Sequence, residues 1–388
     1  MKYIALFICA ISFIACSQAE KELVSSYIVM DFEKMETSSP FEDADGNLNF
    51  ELIQLETNDN SLIKAIKRVE VDGDYIFVSD INNALFCFQK ENGKFLNRIG
   101  RVGAGPEEYL SLADFYIDKQ KKEVHVYDPH RTAILKYTYQ GKFKEIDSYN
   151  PYKMGYIKRI DYLNDQSLIA TMLNGPTSTY AYRIINSKKY SMESELLPFC
   201  QTGKAHSSSA YPQVAFDSTT CYALSFLSDT IYRYSHNGEM VPTYLFKGHL
   251  AHRTDDCWDK DKEYETAYDI IPQLRLKEIS TGINKLYSIG NYLHFTYNKD
   301  EAEYQIFWDT KSNKGYKYPM KYNGDYIKYM SNYITTTDNA LVSVIEAERY
   351  MDVLEKFPHY KDVKIKGTEP LLYDNNPLLI FYYIKEKN

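Results

Sequence analysis

A tandem repeat constrains the fold of this chain more than any other feature of its sequence. Residues 73–95 match residues 121–143 at an offset of 48 positions. The matched pairs are Val78 and Val126, Asp80 and Asp128, Gly93 and Gly141, and Phe95 and Phe143. In each copy, apolar runs alternate with turns that contain Asp or Gly, which predicts a strand, turn, strand, turn, strand sequence. The repeat therefore predicts an array of small antiparallel sheets.

A fainter third copy spans residues 224–240, with predicted turns at Asp229 and Gly238. A period in the forties with about four strands in each unit is typical of a β-propeller. The 37 tyrosines and 19 phenylalanines also favour strands. Residues 48–388 have room for about six units once two helical-looking stretches are set aside. We predict an all-β fold, a six-bladed β-propeller with two short helical insertions.

The predicted insertions are residues 248–280 and 346–368. In the second, apolar residues follow helical spacing until Pro358, which cannot continue a helix. The two ends of the predicted propeller, residues 48–57 and 377–387, are both strand-like. Strands from the two termini that share one blade would remove an open edge and close the ring.

The first residues of the chain have the features of a lipoprotein leader. After Lys2, thirteen mostly apolar residues lead to Cys16, too few to cross a bilayer as a helix. The run from Phe13 to Cys16 fits a lipobox, which predicts a signal peptide at residues 1–15 and lipidation of Cys16. We expect residues 16–47 to form a tether and a first hairpin, and Ser17 favours the outer membrane, in its periplasmic or its surface leaflet.

The overall charge argues against nucleic acid as a partner. The net charge is −8, and removal of residues 1–15 takes away one lysine and makes it −9. No run of Lys and Arg in the sequence offers a binding surface for phosphates. The remaining cysteines, Cys87, Cys200, Cys221 and Cys257, are widely spaced and predict buried apolar side chains, and the sequence leaves open whether any two form a disulfide.

A glycine-rich loop, "RIGRVGAGPEEYL" at residues 98–110, invites interpretation as a nucleotide-binding loop. Its glycines, Gly100, Gly103 and Gly105, have the order G-x-x-G-x-G, the reverse of a dinucleotide fingerprint. Pro106 donates no N–H, and the glutamates that follow it would repel a phosphate. We predict a structural loop between two blades, with a short helical turn that begins at Pro106.

The run "GRVGAGPEEYLSLADFYID" resembles a signature of six-bladed, NHL-like β-propeller lipoproteins of Bacteroides-type bacteria. In this chain the signature comprises Gly100, Gly103, Gly105, Pro106, Glu108 and Tyr109. Asn376, Pro377, Leu378 and Leu379 match the final strand of that family. The resemblance implies an architecture and a lipid anchor, and it supplies no catalytic signature.

Two clusters have the residue types of a metal site but not its spacing. In "FEDADGNLNFELI", Asp43, Asp45, Asn47, Asn49 and Glu51 suggest calcium, yet Gly46 falls at the wrong position for an EF-hand loop and indicates a turn between strands. In "GHLAHRTDDCW", His249, His252, Asp255, Asp256 and Cys257 lack the second half of a zinc site, and a polar segment with a helix N-cap at Thr254 or Asp255 is preferred.

These observations favour a lipid-anchored envelope propeller that acts as a binding or scaffold module for a protein, peptide or glycan, with the lipid anchor as its sole membrane contact. No catalytic residue and no cofactor is predicted. The alternative is a metal-assisted hydrolase or lyase that uses a divalent metal in the central channel, which would require inward-facing carboxylates or histidines from several blades. The sequence leaves this alternative open.

Overall fold

Six small sheets arranged in a ring make up the described part of the chain, which confirms the predicted six-bladed β-propeller. The computed structural model describes residues 27–42, 46–150, 154–155, 157–173, 179–199, 213–217, 219–252, 267–299, 302–321, 323–329 and 333–385.

Three strands precede the first complete blade. They are β1 (Ile28–Asp31), β2 (Glu36–Thr37) and β3 (Phe50–Gln54). Blade 1 consists of β4 (Ile66–Asp72), β5 (Tyr75–Asp80), β6 (Leu85–Gln89) and β7 (Phe95–Arg98). Blade 2 consists of β8 (Asp114–Asp118), β9 (Glu123–Asp128), β10 (Ala133–Thr138) and β11 (Phe143–Ser148). Blade 3 consists of β12 (Ile157–Asn164), β13 (Ser167–Met172), β14 (Tyr180–Asn186) and β15 (Met192–Pro198).

The second half of the ring contains the two helices. Blade 4 consists of β16 (Gln213–Phe216), β17 (Cys221–Leu224), β18 (Thr230–Tyr234) and β19 (Met240–Lys247), and helix α1 (Ile271–Leu276) follows it. Blade 5 consists of β20 (Asn284–Ile289), β21 (Tyr292–Lys299), β22 (Ala302–Asp309) and β23 (Lys314–Pro319). Blade 6 contains β24 (Tyr333–Thr336), β25 (Ala340–Ile345), helix α2 (Ala347–Lys356), β26 (Ile365–Lys366) and β27 (Leu378–Tyr383).

The two ends of the chain close the ring in blade 6. Strand β27 pairs antiparallel with β3, so the strand nearest the C-terminus and an N-terminal strand lie side by side in one sheet. β26 adds to the other edge of β3 in parallel. This pairing leaves no blade incomplete among the described residues, as the strand-like ends of the chain predict.

Residues 28–37 lie on the outside of the ring. β1 pairs in parallel with β19, the outer strand of blade 4, and β2 pairs in parallel with β23, the outer strand of blade 5. Part of the segment expected to be a tether and first hairpin, 16–47, is thus a belt across two blades, and β1 and β2 pair with these blades and not with each other. Among the described residues of this segment, an antiparallel pairing occurs at the single bridge between Glu42 and Leu48.

Three buried side chains hold this belt in place: Met30, Phe32 and Met35. The Phe32 ring contacts the ring of Tyr304 edge-on, at 5.2 Å between centroids, and Lys317 Nζ lies 4.3 Å from the Phe32 centroid. Burial of each such side chain contributes about 1.5–3 kcal/mol. The belt is therefore an integral part of the fold.

The hydrophobic core is divided among the junctions between neighbouring blades. Each of the six junctions contains its own cluster of buried side chains. Because each sheet is covered on both faces, most of its central strands are largely buried: every residue of β9 is buried, whereas in β18 only Ile231 is. The first strands of blades 2 and 3, 4 and 5, 5 and 6, and 6 and 1 contact one another around the central channel.

The antiparallel order of strands gives the ring two different faces. The turns from first to second strand and from third to fourth strand lie at one end, which we call the turn face. The connections from second to third strand, and from each blade to the next, lie at the other end, which we call the loop face. Turn-face turns are two to five residues long, whereas α1, α2 and the glycine loop belong to loop-face connections.

The repeat residues Asp80 and Asp128 have equivalent structural roles. Each carboxylate accepts hydrogen bonds from two backbone N–H groups of the turn that follows, at 2.9–3.1 Å. Each also accepts a backbone N–H from the segment that enters its own blade: Lys64 for Asp80 at 3.4 Å and Leu110 for Asp128 at 2.7 Å. The two aspartates thus fix the entrance of blades 1 and 2.

In the third copy, Asp229 has a different partner. Its carboxylate accepts the Ser280 hydroxyl at 2.7 Å and contacts His252 Nδ1 at 3.0 Å, so it fixes the segment that enters blade 5. That hydrogen bond raises the pKa of His252 above its ordinary value.

Gly93 and Gly141 occupy matched turns in which no side chain fits. Both have positive φ angles, of +67° and +77°, and a Cβ at either position would collide with a backbone carbonyl oxygen of the preceding blade, that of Gln54 or of Arg98. Gly238 has a φ of +81°, but a Cβ added there would lie 3.7 Å from its nearest neighbour, the hydroxyl oxygen of Tyr234. Only the first two copies therefore require glycine for close packing between blades.

We expect Gly141→Ala to destabilise the protein by about 3 kcal/mol or more, because it adds a collision to the cost of a left-handed backbone. Gly238→Ala should cost only the backbone penalty, about 1–2 kcal/mol. Urea unfolding monitored by tryptophan fluorescence measures both. Equal losses in the two variants would contradict the proposed packing role of Gly141.

Candidate binding surface

Exposed apolar side chains are sorted between the two faces of the ring. Thirteen large apolar residues among those described are exposed. Eight of them lie in loop-face connections, five lie on outer strands or on β1, and none lies in a described turn of the turn face. Clustered exposed apolar side chains mark interaction surfaces in soluble proteins. The loop face is therefore the candidate binding surface.

Six of these eight residues belong to the connections of blades 6, 1 and 2, and we call them the apolar rim. The apolar rim consists of Leu62, Ile81, Val102, Leu110, Leu372 and Tyr373. The two most exposed are Leu62 and Leu372, with 60% and 57% of their surface accessible, and Ile81 and Tyr373 follow with 54% each.

The backbone beneath the rim is fixed by a buried asparagine. The Asn376 side chain donates to the carbonyl oxygens of Glu56 and Ser61, and it accepts the N–H of Ile63, all at 2.8 Å. The carboxylate of Glu369 accepts the N–H of Thr57 at 2.7 Å. These bonds join the segments that present Leu62, Leu372 and Tyr373. Asn376 belongs to the sequence motif matched above, and its role is to join the two ends of the chain.

The glycine loop, residues 99–113, connects β7 to β8 as predicted and presents two residues of the rim. Gly100 has a φ of +62° and leaves no room for a Cβ beside the rings of Tyr137 and Tyr109. Tyr109 is buried, and its N–H donates to the carbonyl oxygen of Arg101 at 3.1 Å across the loop. The expected helical turn at Pro106 is instead a tight turn, in which the Glu108 N–H donates to the Gly105 carbonyl oxygen at 3.2 Å.

Glu108 fills the interior of this loop. Its carboxylate accepts the Gly105 N–H at 2.8 Å and Arg101 Nε at 2.6 Å, and these bonds, the first above all, lower its pKa. A Cβ on Gly103 would collide with the same carboxylate. The loop thus binds its own internal anion, and this position is closed to a phosphate.

The central channel contains a network of five charged residues near the loop face. Arg68 donates to Asp114 and to Asp161 at 2.7 Å, and to Glu70 at 2.9 Å. Arg159 donates to both carboxylate oxygens of Asp161, at 3.0 and 2.9 Å. These residues come from β4, β8 and β12, the first strands of three successive blades. The network therefore ties blades 1, 2 and 3 together at the channel.

The environment of the network keeps its central groups ionised. Burial acts to lower the pKa of Arg68, but the three carboxylates more than offset it, and the pKa lies above its usual range. Burial acts to raise the pKa of Asp161, but Arg159 and Arg68 hold it below its ordinary value. The Arg159 side chain remains 40% exposed, so it is the cation of the network that a ligand in the channel would meet.

Three carboxylates from three blades do converge in the channel, which is the arrangement that the metal-dependent alternative requires. Their centre, however, is the guanidinium of Arg68, so a divalent cation would have to displace it. Within the described ranges, no group of three or more His, Cys, Asp or Glu side chains is arranged to hold a metal ion.

The other candidate ligands have structural partners. His249 Nδ1 lies 2.6 Å from the Tyr297 hydroxyl, and His252 contacts Asp229 as described above. Glu51 lies in β3 and bonds to Lys366 Nζ at 2.9 Å. The remaining members of the two clusters that fall outside the described residues are Asp43, Asp45, Asp255, Asp256 and Cys257.

Cys16, the predicted lipidation site, also lies outside the described residues. Cys87 and Cys221 are buried free thiols, and burial raises the pKa of Cys87 to about 12. Among the residues described, no helix has the length and apolarity needed to cross a membrane.

The fold and surface define a class of protein: a closed six-bladed β-propeller whose loop face carries most of the exposed large apolar side chains among the described residues. The chain belongs to the family described as "Domain of unknown function (DUF4934)", whose model matches residues 27–383. No curated protein matches the sequence.

Two solved structures share the fold. One is a protein from Bacteroides fragilis that is inferred to be exported, at 18% sequence identity and a TM-score of 0.71, over 92% of this chain and 100% of that one. The other is a member of the DUF4221 family from Bacteroides vulgatus, at 12% identity and a TM-score of 0.51, over 88% of this chain and 97% of that one. At these identities the likeness concerns the fold alone.

Sequence reasoning missed the channel network. Its only local signal is the pair of charges two residues apart in Arg68 and Glu70 and again in Arg159 and Asp161. Residues two apart in a strand lie on one face of the sheet, so each pair indicates a charged face in a first strand. That the two pairs meet through the Arg68–Asp161 bond, and that Arg68 also reaches Asp114, depends on the curvature of the ring.

Replacement of Arg68 by Met should destabilise the protein by about 3–5 kcal/mol at pH 7, because three carboxylates lose their central cation. The lowered pKa of Asp161 contributes stability above its unfolded value, near 4, and this contribution is lost as the pH falls through the folded pKa. The difference in free energy of unfolding between the variant and the wild type should therefore decrease as the pH is lowered from 7 to about 3.5. Urea unfolding at both pH values measures it.

Arg101→Met is the matched control, since Arg101 makes an exposed ion pair with Glu108. The free energy of unfolding of this variant should be lower than that of the wild type by at most about 1 kcal/mol. A loss for Arg68→Met that is as small, or that does not change with pH, would contradict the charge network.

Proposed function

We propose that this protein is a non-enzymatic, lipid-anchored binding module of the cell envelope, which binds a protein, peptide or glycan at its loop face. The observation that carries the proposal is the sorting of exposed apolar residues: eight in loop-face connections and none in the described turns opposite. Specific interfaces have apolar centres with polar rims, and the loop face combines the apolar rim with the charged mouth of the channel.

The support beneath the rim agrees with a binding role. The Asn376 hydrogen bonds and the carboxylate of Glu108 fix the three connections that present five of the six rim residues. Rigid presentation lowers the entropy that is lost on binding. Variable loops on a rigid scaffold are a common arrangement for recognition.

The envelope location rests on the sequence of the leader and on one structural relative. The lipobox around Cys16 supports attachment to a membrane, and the structural relative from Bacteroides fragilis is inferred to be exported. With Ser17 after the anchor, we propose the outer membrane as the site of attachment.

The rim is tested by the double variant Leu372→Ser and Tyr373→Ser. A ligand captured by the wild-type protein from envelope extracts, once purified, should bind this variant at least about tenfold more weakly, as expected for the loss of two apolar contacts. Isothermal titration or surface plasmon resonance measures the affinity.

Leu96→Ser with Met192→Ser is the control, because these exposed residues lie on the outer strands β7 and β15. This control should bind as the wild type does. An equal loss in both double variants, or no loss in either, would contradict a binding site at the rim.

Lipid anchoring is tested by Cys16→Ala in the full chain. The wild-type protein should sediment with the membrane fraction, and its N-terminal peptide should carry the mass of attached acyl chains. The variant should lose both properties. Cys9→Ala is the control, since Cys9 lies within the expected signal peptide and should leave both unchanged. Membrane attachment that persists in Cys16→Ala would overturn the anchor.

A further inference from the structure

Lysines are concentrated in the turns of one half of the turn face, that of blades 1–3. These turns contain eight lysines, which we call the basic turn patch: Lys90, Lys94, Lys119, Lys121, Lys122, Lys142, Lys188 and Lys189. The same turns contain three carboxylates, those of Asp74, Glu91 and Asp165. The net charge of +5 in these turns contrasts with −8 for the whole chain.

The patch is specific to this half of the ring. The described turn-face turns of blades 4–6 contain one lysine, Lys311, and three carboxylates, those of Asp217, Glu239 and Asp338. No turn contributes more than three of the lysines, so the sequence shows no basic run. The patch exists only because the strand order brings these short turns to one end of three adjacent blades.

Most of the patch is exposed and electrostatically unsatisfied. All its lysines except Lys90 are exposed. Lys119 and Lys121 lie near carboxylates, at 3.9 Å from Asp72 and 2.6 Å from Asp118. The other five exposed lysines make no ion pair with a described residue. On blade 2, the charged side chains of the strands beside the patch largely pair among themselves, as Lys136 does with Glu145 and Asp147.

The direction of the belt places its first described residue toward this face. β19 runs from the turn face to the loop face, and β1 pairs with it in parallel. Tyr27, the first described residue, therefore precedes a strand that enters from the turn-face side of blade 4, next to blade 3. Ten residues separate Tyr27 from Cys16, and such a segment spans at most about 40 Å.

We propose that the basic turn patch lies against an anionic phospholipid surface and orients the anchored propeller with its loop face away from the membrane. This inference rests on the lipid anchor of the proposed function. Acyl chains combined with a polybasic surface hold a protein more firmly than either alone. Each lysine near an anionic surface contributes to binding, and the effect falls off within a Debye length, so the lysines must lie close to the headgroups.

Two arguments favour lipid over an anionic polymer. In the proposed anchored protein, the tether joins β1 from the turn-face side, so the patch need not recruit a free partner against the acidic charge of the rest of the chain. The described turns of this face also lack exposed large apolar residues, which suits contact with headgroups without insertion and offers no aromatic platform for the bases of a nucleic acid.

The test uses the unlipidated protein, residues 17–388, with vesicles of phosphatidylcholine that contain 30% phosphatidylglycerol or none. We expect cosedimentation with the anionic vesicles in 50 mM salt, none with neutral vesicles, and release in 0.5 M salt. The variant Lys94→Glu, Lys122→Glu, Lys142→Glu and Lys188→Glu should bind at least about 100-fold more weakly.

The matched control reverses four exposed loop-face lysines without described ion pairs: Lys64→Glu, Lys321→Glu, Lys361→Glu and Lys364→Glu. This control changes the net charge by the same amount as the patch variant. It should bind the anionic vesicles at least tenfold more tightly than the patch variant does. Equal loss in the two variants, no binding to anionic vesicles, or tighter binding to heparin or DNA than to vesicles would each overturn the proposal. Since this protein carries no lipid, such a failure is distinct from a failure of the Cys16→Ala test.

Discussion

Closure of the ring is the constraint on which the rest of the structure depends. β3 and β27 lie side by side although more than 300 residues separate them along the chain, and Asn376 then fixes the segment that leads into blade 1. Loop-closure entropy grows only slowly with length, so a long closure costs little more than a short one. The stabilisation gained is large, because every blade then has a neighbouring blade on each face and every junction between blades can bury a hydrophobic cluster.

The same closure explains the belt. An outer strand presents unpaired N–H and C=O groups, and such edges invite aggregation. In blades 4, 5 and 6 the strands β1, β2 and β26 cover these edges. No described strand covers the outer strands of blades 1 to 3, but the pairing of each contains a register irregularity and each carries charged side chains, as in Lys144 and Glu145 of β11. The sheet edges in the two halves of the ring are thus protected from edge-to-edge aggregation in different ways.

The sequence predicted local structure well and long-range convergence poorly, for a physical reason. Asp80 and Asp128 act within one or two turns of their own position, so a repeat in the sequence is enough to identify them, and α2 ends before Pro358 as its pattern indicates. The arginine network, the apolar rim and the basic turn patch are each assembled from several blades. A single member such as Leu372 or Lys142 carries no local signature, and only the ring places the members together.

The two faces differ because antiparallel strands separate two kinds of connection, and this separation has a functional consequence. Short turns must be polar and can be charged, whereas the longer loop-face connections have room for apolar residues such as Leu372 and for a helix. A chain of net negative charge can therefore concentrate its lysines on one surface and its exposed apolar residues on the opposite one. Anchored from the turn-face side, such a ring would direct its charge toward the membrane and leave its apolar rim free for a ligand.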